Sequence, residues 1–163
     1  MEGAHATSNQ RAAVSSAGMA AAMMAQTAPA QQPRINRLML IDDNALDQRL
    51  YQRVITRSGL VGETISFLWA EEALAHLTDP AQPPVDLVLL DINMPQMDGF
   101  EFLHAASDVA GPQFAPVVVM LTTSLNPDDY ARAMAFDAVR DFLNNPLTIQ
   151  HLHRMADMLD AST

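Results

Sequence analysis

The sequence contains no cysteine, no lysine and no long uninterrupted run of apolar residues. Without cysteine, the chain has no disulfide framework and no thiol chemistry. All nine basic residues are arginines, and against 19 acidic residues they leave a formal net charge of −10. This balance argues against nucleic-acid binding, because contacts with phosphates require clustered cations. No apolar run approaches the ~20 residues that a transmembrane helix requires, so we expect a cytoplasmic protein without a membrane anchor.

The 163 residues are enough for one domain with a hydrophobic core, and 49% of them are hydrophobic. Residues 1–36 differ from the rest, because they are rich in alanine, glutamine, serine and methionine and lack periodic large apolar residues. We therefore predict a disordered Ala/Gln-rich N-terminal tail over residues 1–36 and one folded domain over residues 37–160. The alanine-rich stretch after Arg11 loosely mimics a signal peptide, but Glu2 and the scarcity of large apolar residues favour a cytoplasmic tail.

Five short apolar runs alternate with five helical patterns along the rest of the chain. The predicted strands cover residues 37–41, 65–69, 85–90, 116–121 and 139–143. Asn44 is a good cap for the first helix and Gly59 ends it, and Leu46, Leu50 and Val54 share one of its faces. Strict alternation predicts an α/β fold with a five-stranded parallel sheet and helices on both faces. We expect the doubly wound, flavodoxin-like strand order 2-1-3-4-5.

Polar residues come directly after several of the predicted strands. They are Asp42 and Asp43 after the first strand, Asp91 after the third, Thr122 after the fourth and Asn145 after the fifth. Since the first and third strands are neighbours in this order, the three aspartates should share one pocket. Carboxylates about 4 Å apart repel one another by about 4 kcal/mol at an effective dielectric near 20, so a proton or a cation must enter. Oxygen ligands favour Mg²⁺, beside which an aspartate can act as a nucleophile and form an aspartyl phosphate.

Several segments resemble the receiver domain of two-component response regulators, namely Leu38 to Asn44, Leu87 to Gly99, Leu121-Thr122-Thr123 and Asp141 to Pro146. The resemblance implies that Asp91 accepts a phosphoryl group from a histidine kinase or a phosphotransfer protein. It also implies that the Mg²⁺ ligands are Asp42, Asp43, Asp91 and the backbone carbonyl of Asn93. The segment from Thr122 to Asn126, followed by two aspartates, is similar to receivers that pair with phytochrome-type sensors.

The resemblance further implies a conformational switch. Thr122 and the aromatic Phe142 would move on phosphorylation, and the fourth helix, fifth strand and fifth helix would bind a downstream protein. Because no output domain follows, we expect a stand-alone receiver that is not an enzyme, although it takes part in its own phosphoryl transfer. A homodimer is compatible with this interpretation.

One position departs from the family pattern. Receivers carry a lysine before the proline that follows the last strand, where this chain has Asn145. Arg140 lies roughly 16 Å back along an extended strand, and Arg49 is expected to face outwards. Two functions stay open: a phosphorylation switch, which the aspartates and Thr122 favour, and a pseudo-receiver that binds partners constitutively, which Asn145 favours. A Mg²⁺-dependent phosphohydrolase is disfavoured, because no second carboxylate lies two residues after Asp91 to act as a general acid.

Overall fold

The computed structural model describes residues 31–111 and 114–162, so most of the tail predicted over residues 1–36 lies outside the described residues. Strands and helices alternate along the described chain. In chain order they are β1 (Ile35–Ile41), α1 (Ala45–Ser58), β2 (Val61–Phe67), α2 (Ala70–Thr78), β3 (Leu87–Leu90), α3 (Gly99–Ala110), β4 (Val117–Thr122), α4 (Pro127–Met134), β5 (Val139–Asn144) and α5 (Ile149–Ala161). Within these ranges, no helix combines the length and the hydropathy needed to cross a bilayer.

All five strands pair in parallel in the order β2-β1-β3-β4-β5, which confirms the predicted fold class. Two strands begin earlier than the sequence pattern indicated. β1 starts at Ile35 rather than Arg37, and β2 starts at Val61 rather than Ile65 and ends at Phe67. β2 is an edge strand whose residues are only partly buried, so its apolar pattern is too weak to mark its start.

The sheet has a core on each face, because alternate residues of every strand point in opposite directions. Met39 and Ile41 of β1 pack on the face that α2, α3 and α4 cover. Leu38 and Leu40 pack on the other face, against α1 and α5. All four residues of β3 are fully buried. A strand buried on both faces has its carboxyl end where loops from several elements meet, and this end positions the site.

The buried face of α1 is not the one that the sequence indicated. Leu46 and Leu50 are 65% and 49% exposed, whereas Gln48, Tyr51 and Ile55 face the sheet. Of the three residues placed on one face by their spacing, Val54 packs against the core, and the buried face is rotated away from Leu46 and Leu50. The rotation follows from packing: Tyr51 and Ile55 fill the core, and the Gln48 amide bonds to two strand-end carbonyls.

Candidate functional site

Three carboxylates meet at the carboxyl edge of the sheet. One oxygen from each of Asp42, Asp43 and Asp91 lies within 4.8 Å of the others. They come together because β1 pairs directly with β3, and the backbone N–H of Asp91 donates to the carbonyl of Ile41 at 3.0 Å. Asp42 is buried, Asp91 is half-buried and Asp43 is exposed. The cluster is therefore open to solvent on one side.

Short hydrogen bonds hold the loop between β1 and α1 in place. The Asp42 carboxylate accepts from the backbone N–H of Asn44 at 2.8 Å, and the Asn44 side chain caps α1. The buried Gln48 amide donates to the carbonyls of Asp42, at 2.8 Å, and Phe67, at 2.7 Å. Gln48 thus ties the ends of β1 and β2 together beneath the acidic cluster. The sequence analysis missed Gln48, because a lone polar residue in a helix carries no pattern of its own.

The loop after Asp91 is built around a close approach of two backbones. A Cβ atom added to Gly99 would lie 2.5 Å from the carbonyl oxygen of Asp91, closer than real Cβ atoms come to backbone. The N–H of Gly99 donates to the carbonyl of Ile92 at 2.9 Å, and the capping box of Asp98 and Glu101 starts α3 at this point. The glycine of the Asp98-Gly99 pair is therefore required for α3 to begin against Asp91.

The electrostatics of the cluster favour bound positive charge. Burial, reinforced by the negative charge of Asp42, raises the pKa of Asp91 to about 7, although the backbone N–H groups of Ile92 and Asn93 oppose the shift. Burial also raises the pKa of Asp42 to about 6, against the hydrogen bond from Asn44. The raised pKa values mean that burial and mutual repulsion destabilise the ionised carboxylates. A bound divalent cation offsets this repulsion without protonation of either group.

The donor set fits a hard divalent cation. Every side chain in the cluster offers oxygen, as Mg²⁺ prefers, and no imidazole or thiolate belongs to the cluster. Asn93, whose carbonyl was predicted as a fourth ligand, is exposed in the loop two residues after Asp91. Its backbone N–H faces the Asp91 carboxylate.

Thr122 lies fully buried at the end of β4, next to β3 in the sheet. Its hydroxyl oxygen accepts from the backbone N–H of Ser124 at 3.0 Å, which leaves its own O–H to donate elsewhere. Its carbonyl accepts from the backbone N–H of Asn145 at 3.1 Å. Thr122 thus connects the end of β4 with the end of β5.

Asn145 is half-buried just beyond β5, and its side chain meets a residue that the sequence analysis did not single out. Oδ1 of Asn145 accepts from the hydroxyl of Tyr51 at 2.9 Å. Arg140 and Arg49, the arginines considered as substitutes for a lysine, are both exposed. The position of the family lysine is therefore occupied by a neutral pair, Tyr51 and Asn145.

Phe142 is half-buried on β5 and contacts α4. Its ring meets that of Tyr130 edge-on, with 5.6 Å between the ring centroids. A groove beside this contact is lined by the start of α4, the end of β5 and His151 of α5. Leu125 and Ile149 are exposed apolar residues nearby. The surface formed by α4, β5 and α5 thus combines aromatic and apolar groups with an accessible groove.

The sequence has clear relatives. Two-component response regulator ORR1 of Oryza sativa is 29% identical over 134 residues, which cover 79% of this chain. The match spans 57% of the length of ORR1. Response regulator Rcp1 of Synechocystis sp. is 30% identical over 128 residues, covering 76% of this chain and 86% of Rcp1.

Solved structures of such proteins have the same fold. A crystal structure of the Mn²⁺-bound form of response regulator Rcp1 matches with a TM-score of 0.61 and 29% identity, covering 77% of this chain and 92% of that one. A crystal structure of the phosphorylated cyanobacterial phytochrome response regulator RcpA matches with a TM-score of 0.61 and 27% identity, covering 77% and 91%. A model of the family described as response regulator receiver domain matches residues 38–157. This match covers most of the chain, and the chain therefore belongs to the response regulator receiver-domain family of two-component signalling.

Proposed function

We propose that this receiver domain accepts a phosphoryl group on Asp91 in the presence of Mg²⁺ and thereby switches its binding to a partner protein. The observation that carries the proposal is the meeting of Asp42, Asp43 and Asp91 within 4.8 Å at the end of two adjacent strands. Asp91 is the member that ends the central, fully buried strand, and it is half-buried at an open edge where a phosphoryl donor can approach.

Each residue has a distinct task in the proposed reaction. An oxygen of the Asp91 carboxylate bonds to the phosphorus atom while the bond from phosphorus to the donor's imidazole nitrogen breaks, and that nitrogen keeps the electron pair. Asp42, Asp43, Asp91 and the Asn93 carbonyl would hold Mg²⁺, which supplies positive charge against the phosphoryl oxygens. The hydroxyl of Thr122 would donate a hydrogen bond to one of those oxygens.

Crystal structures of two relatives, one with a bound metal ion and one phosphorylated, support this chemistry. Rcp1 has been crystallised with Mn²⁺, a divalent cation with ligand preferences similar to those of Mg²⁺. RcpA has been crystallised in its phosphorylated form. Both proteins share 27–29% of their residues with this chain over most of its length.

The proposal includes two kinds of partner, a protein that donates the phosphoryl group and a protein that responds to it. The donor is a histidine kinase or a phosphotransfer protein, and a phytochrome-type kinase is a specific candidate because RcpA is named a phytochrome response regulator. The surface formed by α4, β5 and α5 is proposed to bind the downstream protein, with Phe142 reporting the state of the site. We also propose that the domain works in the cytoplasm and is not an enzyme in its own right.

Labelling with acetyl phosphate and Mg²⁺ tests the proposal. We expect the wild type to gain one phosphoryl group that alkali or hydroxylamine releases, and Asp91→Asn to gain none, because an amide cannot form the acyl phosphate. Asp108→Asn, which removes one carboxylate from the exposed face of α3, should label like the wild type. Equal labelling of Asp91→Asn and wild type would rule the proposal out.

A second function rests on Asn145. A pseudo-receiver would bind its partner in one state, and the neutral pair of Asn145 and Tyr51 favours this function because it lacks the cation that offsets phosphoryl charge. Partner binding distinguishes the two. A switch changes its affinity for the partner when Asp91 is phosphorylated, whereas a pseudo-receiver binds equally well before and after labelling and as Asp91→Asn.

A further inference from the structure

Tyr51 of α1 extends its hydroxyl to the carboxyl edge of the sheet. Its side chain is only 4% exposed, and its ring packs in the core between the sheet, α1 and α5. Its hydroxyl donates to Oδ1 of Asn145 at 2.9 Å, a contact between residues 94 positions apart in the chain. A phenol has one proton to donate. The hydroxyl proton of Tyr51 is therefore used in the hydrogen bond to Asn145. The packing of the ring fixes the position of this hydroxyl.

This contact determines which way the Asn145 carboxamide faces. The oxygen and the nitrogen of a carboxamide are separate ends of one planar group, so the bond from Tyr51 occupies Oδ1 and leaves the Nδ2 hydrogens to other acceptors. The backbone of Asn145 is also held, because its N–H donates to the carbonyl of Thr122. With its oxygen engaged, the side chain offers N–H donors to any new acceptor at this edge of the sheet.

The Tyr51 hydroxyl lies within electrostatic reach of the acidic cluster. Burial, followed by the charges of Asp42 and Asp47, raises the pKa of Tyr51 above its usual value, and Asp91 adds to the shift. The phenol therefore stays neutral at physiological pH. It contributes hydrogen bonding and orientation at this position, and no charge.

We propose that Tyr51 is a positioning residue for the phosphoryl site: its hydroxyl fixes the Asn145 carboxamide so that the Nδ2 hydrogens serve as the donors where relatives use a lysine. This inference rests on the proposed function, because it assigns a role in the same phosphoryl transfer. The site thus uses two neutral residues, one held by the other, in place of one mobile cation.

The test compares Tyr51→Phe in two backgrounds. Phenylalanine keeps the buried ring and removes only the hydroxyl. In the wild-type background, we expect Tyr51→Phe to slow labelling by acetyl phosphate with Mg²⁺ by about fivefold, since the loss of one hydrogen bond has effects of this size. In the Asn145→Lys background, it should have no effect, because a lysine ammonium rotates freely and needs no partner to orient it.

Ser58→Ala is the matched control. It removes a hydroxyl from the C-terminal end of the same helix, and it should leave labelling unchanged in both backgrounds. If Tyr51→Phe slows labelling equally in both backgrounds, Tyr51 has only a structural role and the inference is wrong. Unchanged labelling in the wild-type background also overturns it.

Side-chain amide NMR separates this inference from the proposed function. In the wild type, the Nδ2 hydrogens of Asn145 should resonate away from the positions of a free side-chain amide, and Tyr51→Phe should shift them towards those positions. A wild type that does not label at all defeats the proposed function and this role with it, whatever the amide spectrum shows. A wild type that labels while the Asn145 signals are indifferent to Tyr51→Phe defeats the positioning role alone.

Discussion

The two halves of the carboxyl edge are built differently. In the half formed by β1 and β3, three carboxylates meet, and hydrogen bonds from Asn44 and Gln48, which are nearby in sequence, hold Asp42 in place. In the half formed by β4 and β5, Thr122 and Asn145 are neutral, and Tyr51 reaches Asn145 from a distant helix. The acidic half thus has every carboxylate that the proposed phosphoryl acceptor requires, whereas the neutral half lacks the cation expected after β5.

In the family pattern, a lysine opposite the acidic cluster would balance the added phosphoryl charge. A charge-assisted hydrogen bond is roughly twice as strong as a neutral one, so a neutral pair couples the two halves less strongly. Under the proposed function, we therefore expect acceptance of the phosphoryl group and transmission of its charge to β5 to be separable. The variants below alter one half and leave the other in place.

Gly99→Ala should have the largest effect on stability, and it should disturb the position of Asp91 in the acidic half. Its Cβ atom would clash with the Asp91 backbone, so we expect a loss of about 3 kcal/mol in the free energy of unfolding, together with slower labelling. Gly59→Ala is the control, because Gly59 has a φ of 66° with open space around it. Strain alone should cost about 1 kcal/mol there, with normal labelling. Denaturant unfolding measures both, and equal losses would contradict the role of Gly99.

Gln48→Leu should come next. It removes the two hydrogen bonds that tie Asp42 to Phe67 and leaves both carbonyls without that donor, at a cost of about 2 kcal/mol. We also expect weaker Mg²⁺ binding, because the loop that carries Asp42 and Asp43 loses its support. Gln52→Leu is the control, because it removes one exposed hydrogen bond to Ser66. As a surface substitution, it should lower the free energy of unfolding by less than about 0.5 kcal/mol. Titration calorimetry with Mg²⁺ should distinguish the two variants.

Removal of the metal should have a smaller effect on stability. Mg²⁺ at about ten times its dissociation constant should stabilise the wild type by about 1.4 kcal/mol, measured as a rise in melting temperature relative to EDTA. Asp42→Asn should lose most of this rise, because it removes a ligand and part of the repulsion. Asp108→Asn, which changes the net charge equally, should keep it. A rise that is the same in all three proteins would mean that Mg²⁺ acts elsewhere.

Asn145→Lys should have the smallest effect, and it changes only the neutral half formed by β4 and β5. We expect labelling to become a few-fold faster and the conformational response to grow, because the ammonium adds charge beside the incoming phosphoryl group. The NMR signals of the Phe142 ring, which contacts Tyr130 of α4, measure the response. Equal rates and equal changes of these signals in the two proteins would remove the significance given to Asn145.

Much of the fold follows from local patterns. The five apolar runs predicted a parallel sheet, and the aspartates placed after the first and third runs do meet in space. This worked because parallel strands bring their carboxyl ends to one edge, whatever the details of packing. The start of β2 was missed because an edge strand needs no continuous apolar run.

The face of α1 was predicted wrongly for a different reason. Leu46 and Leu50 have helical spacing, but the buried residues are Gln48, Tyr51 and Ile55. Two of these three carry polar groups, and their hydrogen-bond partners come from β1, β2 and the segment after β5. Hydropathy does not reveal such partners, so the signal for these site residues was absent from the local sequence.

The sequence by itself determined where the acidic residues lie, because they follow the first and third buried strands, which are neighbours in the expected flavodoxin-like order. Only the tertiary structure decided how the lysine position is filled. The rotation of α1 about its axis depends on the two surfaces it packs between, and that rotation brings the Tyr51 hydroxyl to Asn145 across 94 residues of chain. A contact of this kind arises from packing geometry, which no local stretch of residues encodes.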